Sequence, residues 1–287
     1  MSTDVQSLVL RAAGINCDDE VMHCWRLAGA TPTLVHVNEL AESPSMLADF
    51  SIVTIPGGFS YGDDLGAGTI LAQRIQQTVA GPLRDFVDRG GGVLGICNGF
   101  QVLVKMGLLP GGEFGRDQVT VTYNDSARFE ARWVRLEVAT DRCPFLGHRQ
   151  EKPAGAIRQS KIDIRQSVLE LPVEHAEGKV VTSSDAVARR LLDSGQVALR
   201  YVDATGNHDQ YPANPNGSVL GIAGLCDPTG RIFGLMPHPD RHFDRMHHPT
   251  WSRRPADLVP DGLTIFANAA GHWSKNSKFE VQGSKSR

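Results

Sequence analysis

Residues 93–101, VLGICNGFQ, run from an apolar strand-like stretch across Gly95 to Cys97, and on past Gly99 into the amphipathic stretch Phe100 to Met106. A nucleophile on a sharp strand-to-helix turn needs small residues two positions before and after it, because a Cβ at either place would strike the facing backbone. Gly95 and Gly99 meet that need, so the pattern predicts an elbow with Cys97 as its nucleophile. Unpaired N–H groups and the positive dipole end of the following helix favour thiolate over thiol, and the elbow is expected to leave the sulfur exposed. A cysteine nucleophile requires a base. Of ten histidines, His238 in GLMPHPDRHF follows the apolar run RIFGLM at a predicted strand end, with Asp240 two residues on. Residues two apart in an extended segment face the same way. Pro239 restrains the backbone between them, so the carboxylate can hold the imidazole by its distal nitrogen while the other nitrogen serves the thiol. The chain order Cys97, His238, Asp240 differs from that of the α/β-hydrolases, where the acid precedes the histidine.

The elements around these residues alternate, in the first half of the chain, as a parallel sheet requires. SLVLRA (7–12) reads as a strand, Asp18 and Asp19 are candidate helix caps, and in EVMHCWRLAGA the residues Val21, Cys24, Trp25 and Leu27 fall on one helical stripe. TLVHV and SIVTI follow as strands, then a helical region from Gly66 to Arg89 interrupted at Gly81-Pro82, then Gly90 to Gly92 before the elbow strand. Such alternation predicts an α/β fold, a mostly parallel sheet with helices on both faces. Sheets of this kind bind ligands at the carboxyl ends of their strands, where Cys97 lies. From about residue 117 the runs VTVTY, RWVRLEVA, KVV, QVALRYV, SVLGIAGL and RIFGLM, with one helical run near Ala186 to Asp193, predict antiparallel additions. Residues 1–273 are expected to form one domain. Residues 141–168 are polar and without period, which predicts a surface excursion, and 274–287 form a polar, lysine-rich tail expected to fray.

Composition removes several function classes. A chain of 287 residues with 41% hydrophobic content can bury a large core. Its net charge of -3 gives no general attraction to nucleic acid, and it holds no apolar run long enough to span a membrane. The opening MSTDVQS is too polar for a secretory signal, and five cysteines without a C-x-x-C pair do not point to a disulfide framework. A reducing cytoplasm is the expected setting. His242, His247 and His248 crowd near Asp244 but lack the i, i+4 spacing of helical zinc pairs, so no metal site is expected. Gly90 to Gly92 lacks the GxxxxGK[ST] phosphate loop, so ATP is expected to bind elsewhere.

Gly95, Cys97, Gly99 and Gln101, with His238, Pro239 and Asp240, resemble the triad-type (class I) glutamine amidotransferases, in which GxCxGxQ carries the cysteine and HPE the histidine. Asp240 stands where that family commonly has Glu, and its shorter side chain must approach more closely or leave a water between. GINCDDE (14–20), PGGFSYGDDLGAG (56–68), SARFEARWV (126–134), HAEGK (175–179), NPNGS (214–218) and MPHPDR (236–241) are similar to one branch of that family, the glutaminase subunits of a purine-biosynthetic synthetase.

The resemblance implies a flavodoxin-like class I amidotransferase fold in which Cys97 forms a γ-glutamyl thioester and His238 transfers the protons. It implies an oxyanion hole from backbone N–H groups of the Gly57-Gly58-Phe59 turn, Gly58 and Phe59 foremost, and of Asn98. Gln101 would contact the substrate glutamine, and Ser126, Arg128 and Phe129 would hold its amino-acid end. His175 and Glu177 would line the exit toward a partner. No cofactor is implied in this chain. ATP and Mg²⁺ would act on a large synthetase subunit that converts formylglycinamide ribonucleotide to its amidine, with a small third subunit bridging the two. Two other readings stay open from the residues alone. One is a catalytically silent interaction module in which Asp240 marks a decayed triad; the other is a cysteine hydrolase of another amide or peptide.

Overall fold

A computed structural model describes residues 5–147 and 168–276. The first half supplies strands β1 (Gln6–Arg11), β2 (Thr31–His36), β3 (Ile52–Ile55) and β4 (Gly92–Ile96), joined through helices α1 (Asp18–Leu27), α2 (Val37–Glu42), α3 (Thr69–Thr78) and α4 (Ala80–Asp88). Helix α5 (Asn98–Lys105) leaves the elbow. The second half adds β5 (Val119–Tyr123), β6 (Glu130–Val138), β7 (Val168–His175), β8 (Glu177–Thr182), α6 (Asp185–Asp193), β9 (Val197–Tyr201), β10 (Ile222–Cys226), β11 (Ile232–Leu235) and α7 (Asp261–Asn276).

One sheet has the order β2-β1-β3-β4-β11-β10-β9-β6-β7, and β5 pairs with β8 in a second, smaller one. Strands β2, β1, β3, β4 and β11 are mutually parallel. From β11 through β10, β9 and β6 to β7 every pairing is antiparallel. The predicted parallel heart with antiparallel additions is therefore present. Strands β3 and β4 are buried along their whole length, as strands covered on both faces must be. The glycines of β4 show which helices cover which face. A Cβ at Gly92 would lie 2.4 Å from the Trp273 ring of α7, and one at Gly95 would lie 2.6 Å from Leu103 of α5. Positions 92 and 95 point to opposite sides of a strand, so α7 and α5 sit on opposite faces.

Several local expectations are corrected. Asp18 and Asp19 lie inside the first turn of α1 rather than capping it; Cys17 holds the N-cap position and Asp18 pairs with Arg11. On the α1 stripe Val21, Cys24 and Trp25 are buried, whereas Leu27 is 50% exposed. The helical region after Gly66 breaks at Val79, with φ -128° and ψ -2°, and Gly81-Pro82 fall in the first turn of α4. A proline there removes an N–H that has no intrahelical acceptor, so it does not interrupt the helix.

Helix α7 has no counterpart among the predicted elements, although Ile265, Phe266, Ala269, Ala270 and Trp273 bury one stripe of it at helical spacing. Phe266 meets Trp25 of α1 edge to face at 4.9 Å between centroids, and Trp273 Nε1 donates to Gly90 O at 2.8 Å. The helix carries the backbone through Asn276, past the expected boundary at 273; residues 277–287 of the expected tail lie outside the described residues. Residues 148–167 of the expected excursion also lie outside them. The part that is described lies on the surface only at Asp141 and Arg142, which are exposed; Cys143, Phe145 and Leu146 are buried, with Phe145 packed on Phe233 and Trp273. Burial of a side chain such as Phe145 is worth about 1.5 to 3 kcal/mol.

Candidate active site

The elbow is tight in the way its glycines require. Cys97 sits at φ 50°, ψ -104° between β4 and α5, a conformation that costs a non-glycine residue on the order of 1–3 kcal/mol. A Cβ at Gly95 would lie 2.7 Å from Gly99 O, and one at Gly99 would lie 1.9 Å from Ile55 O. Cys97 N donates to Leu235 O at 2.8 Å, fastening the elbow to the end of β11. The chain leaving β11 therefore emerges beside Cys97. There His238 N donates to Pro172 O of β7 at 2.8 Å, which fixes the histidine against the sheet.

Cys97 is only 6% exposed, contrary to the expected open thiol, and faces a cavity of about 240 Å³ at the small end of ligand pockets. His238 and Asp240 are both buried, with Nδ1 and Oδ1 3.3 Å apart, so the shorter acid reaches the ring directly. The contact is a charge pair rather than an aligned hydrogen bond, since neither side chain has a hydrogen-bond partner among the described residues. Burial works against the imidazolium, but Cys97 and Asp240 outweigh it and hold His238 well above the ordinary imidazole value. Gly57 stands beside both functional groups: a Cβ there would lie 2.8 Å from His238 Cε1 and 3.5 Å from Cys97 Cβ.

The expected oxyanion donors divide. Phe59 N donates to Gly14 O at 2.8 Å, so that N–H is already committed. Gly58 keeps its N–H uncommitted among the described residues, and its φ of +139° demands glycine. Asn98 opens α5, so its N–H belongs to the first-turn donors that lack an intrahelical acceptor. Its side chain accepts from Ser60 N at 3.3 Å and donates to Asp63 Oδ1 at 3.0 Å and Gln101 Oε1 at 3.1 Å. The GGFSYGD loop is thereby tied to the elbow helix. Burial pushes the Asp63 carboxyl up, against hydrogen bonds from Gly68 and Asn98 that lower it.

Gln101 lines the cavity, and its Nε2 donates to Glu177 O at 2.5 Å. Phe129 is 51% exposed at the cavity wall, while Ser126 and Arg128 do not line it. Ser126 Oγ donates to Glu130 Oε1 at 2.9 Å, and Arg128 is exposed, so the structure does not bring these two of the expected residues to the cavity wall. The guanidinium at the cavity is that of Arg241, whose Nη2 lies 3.5 Å from Cys17 Sγ and whose Nε lies 3.9 Å from Glu174. Sequence reasoning missed Asn16, Cys17, Glu174 and Arg241 as lining residues, although GINCDDE and MPHPDR contain three of them. His175 and Glu177 both line the cavity without pairing: His175 Nδ1 meets Asn124 Oδ1 at 3.0 Å and Glu177 accepts from Ala67 N at 3.3 Å. NPNGS supports this wall from behind, with Asn216 donating to Gly178 O at 2.8 Å and Ser218 Oγ accepting from Val180 N at 2.9 Å. His242 and His248 pack edge-on against Trp133 and contact Glu170, and burial lowers His242 to about 4.

A buried thiol and imidazole on one small cavity, with a carboxylate 3.3 Å behind the ring, form the constellation for acyl transfer through a thioester. A family model described as a CobB/CobQ-like glutamine amidotransferase domain matches residues 4–273. A phosphoribosylformylglycinamidine synthase subunit PurQ from Dehalococcoides mccartyi is 42% identical over 94% of this chain and 98% of its own length. A PurQ subunit from Methanococcus maripaludis is 36% identical over 93% of this chain and 97% of its own length. Among solved structures, a chain of PurLQS from Thermotoga maritima superimposes with a TM-score of 0.66 and 28% identity, over 93% of this chain and 98% of that one.

Proposed function

The chain belongs to the CobB/CobQ-like glutamine amidotransferases, among the phosphoribosylformylglycinamidine synthase PurQ subunits, and from that premise we propose how its own residues carry the reaction. The activity is hydrolysis of glutamine to glutamate, with ammonia supplied to a synthetase partner that makes formylglycinamidine ribonucleotide. The observation that carries the residue assignment is Cys97 on its strained elbow, sharing one cavity with His238, whose ring is met from behind by the buried Asp240.

Cys97 Sγ attacks the carboxamide carbon of glutamine. The C–N bond then breaks, and His238 gives the departing nitrogen its proton, leaving a γ-glutamyl thioester. Water deprotonated by the same imidazole releases glutamate and restores the thiol. Asp240 keeps the ring oriented and stabilises its charged form. Gly58 and Asn98 N–H groups face the developing oxyanion, where one lost donor costs about 10²- to 10³-fold in rate. Gln101 and Phe129 border the bound glutamine, and Arg241 takes its carboxylate, the role expected of Arg128. Residues 1–273 act as one amidotransferase domain. The chain works in the cytoplasm with a large synthetase subunit and a small bridging subunit. ATP and Mg²⁺ act on the large subunit. Among the described residues no helix is long and apolar enough to cross a membrane.

Ammonia is mostly protonated at neutral pH and then no nucleophile, so release is expected to be coupled to the partner. Glutamine hydrolysis measured for the chain alone, and again with the synthetase loaded with ATP and formylglycinamide ribonucleotide, should rise by about tenfold or more in the complex. Equal turnover in both states would count against the coupling. Within this site, Gly57→Ala should lower kcat/KM on the order of 10²-fold with little change in Tm, because the added methyl meets a ring edge of His238 rather than backbone. Activity and a melting curve on the same sample check it; unchanged activity would show that the turn does not press on His238.

A further inference from the structure

His175 ends β7, next to Glu174, whose carbonyl lies 3.7 Å from Cys97 Sγ, and it borders the same cavity. Asn124 fixes its tautomer. Asn124 Nδ2 donates to Arg128 O at 2.9 Å and to His175 O at 2.8 Å, which leaves Oδ1 facing His175 Nδ1 at 3.0 Å. An acceptor oxygen at that position requires Nδ1 to carry the ring proton, so Nε2 presents a bare lone pair. That atom is buried and has no hydrogen-bond partner among the described residues. The ring is also held in place: a Cβ at Gly178 would lie 2.5 Å from both His175 Cε1 and Nδ1. Burial, together with the neighbouring charge of His238, lowers His175 to about 4, so the acceptor stays neutral through the physiological range.

A buried acceptor with its partner missing, on the wall of a substrate cavity, is a place for a ligand N–H. His238, whose charge the ring feels, and the strand segment that touches Cys97 Sγ both belong to the reacting end of the site. We propose that His175 Nε2 accepts a hydrogen bond from the carboxamide N–H of glutamine, which makes His175 a specificity-determining residue that selects an amide over an ester at the scissile position. This rests on the glutaminase assignment. The nitrogen so held is the one that leaves as ammonia, and a neutral acceptor leaves its protonation to His238. A site built around a substrate N–H rejects the analogue that lacks it, because the buried acceptor is then left unpaired.

The test compares L-glutamine with L-glutamate γ-methyl ester, whose leaving group carries no N–H, in the assembled synthetase complex. His175→Phe should lose about 10- to 100-fold in kcat/KM on glutamine and less than about threefold on the ester, and His175→Gln, which retains an acceptor oxygen, should recover part of the loss. Equal losses on both substrates would overturn the proposal and assign His175 a purely structural role. Wild-type protein that turns over neither substrate would overturn the glutaminase assignment instead, and this proposal with it. Should His175→Phe not fold, ¹⁵N resonances of the wild-type ring decide the matter: an Nδ1–H tautomer between pH 5.5 and 8 with Nε2 shifting on glutamine addition supports it, and an Nε2–H tautomer overturns it.

Discussion

Replacing Cys97 with alanine is expected to lower glutamine hydrolysis by at least about 10⁴-fold while leaving the protein folded. Cys17, the other thiol on the cavity wall, is tied to Arg241 and Asn16 and does not stand on the elbow, so without Cys97 the reaction must proceed by direct attack of water. Removal of the sulfur costs little structure, since its polar contact is the Glu174 carbonyl at 3.7 Å. The melting temperature should stay within about 3 °C of wild type, the equivalent of roughly 1 kcal/mol in a chain of this size. Cys97→Gly sharpens the argument: the backbone at φ 50°, ψ -104° suits glycine, so this variant should melt higher than the alanine one by roughly 1 kcal/mol, although equally inactive. A native elbow that holds a strained residue where glycine would relax it indicates a position kept for its sulfur. Ammonia release, thermal melts and activity with external ammonium in the complex read the three effects separately. Hydrolysis by Cys97→Ala within tenfold of wild type would remove the covalent mechanism, and loss of the ammonium-driven reaction would mean that the variant had disrupted the complex.

How much of this molecule is legible in its sequence depends on the range of the interactions involved. The elbow is readable because its demands are local: Gly95, Cys97 and Gly99 are constrained by one turn, and their spacing is that constraint. The His238–Asp240 pairing is readable for the same reason, with two residues on one short segment. The parallel half is readable because β3 and β4 are buried throughout and, Thr54 apart, carry no polar side chain. By contrast, Arg241 and Cys17 meet across 224 positions, brought together by the order of strands in the sheet, and no local pattern favours Arg241 over Arg128 as the cavity's cation. The fate of the Phe59 N–H is decided by Gly14 in another loop, which is equally invisible in the GGFSYGD motif. Helix α7 is a different case. Its apolar stripe at 265, 266, 269, 270 and 273 is a local signal, but it lies next to a polar, basic stretch, and the composition of that stretch masks the periodicity. HAEGK shows the limit most clearly: the residue types suggest an acid/base pair, yet His175 and Glu177 point to different partners, and the function of His175 depends on Asn124 from a distant turn.

Gly99→Ala should destabilise the protein by about 2–3 kcal/mol and lower activity by at least about 10²-fold, a result opposite in sign to what helix propensity gives. Gly99 lies in the first turn of α5, where alanine is the better helix former by about 1 kcal/mol, so propensity alone would predict a gain. The added Cβ, however, would stand 1.9 Å from Ile55 O and 2.7 Å from Ile55 C, a collision with backbone at the end of β3 that no side-chain rotation can relieve. Either α5 moves away from the sheet or Ile55 moves away from α5. Overpacking of this kind typically costs about 1–3 kcal/mol and here lies at the upper end, so it outweighs propensity. The catalytic consequence arises just beyond Ile55. Pro56, Gly57 and Gly58 continue directly from it, so a displaced Ile55 carbonyl shifts the Gly58 N–H and the contact of Gly57 with His238 together. If α5 moves instead, Cys97 and Asn98 move with it. Both routes misplace the nucleophile relative to its oxyanion donors, and a displacement near 1 Å is worth about 10²-fold in rate. A fall of about 4–12 °C in Tm with the matching loss of hydrolysis is the expected pair of readings. A variant that melts at or above wild type and keeps activity within threefold would show that α5 and β3 do not approach closely enough to require glycine, and the elbow geometry would have to be redrawn.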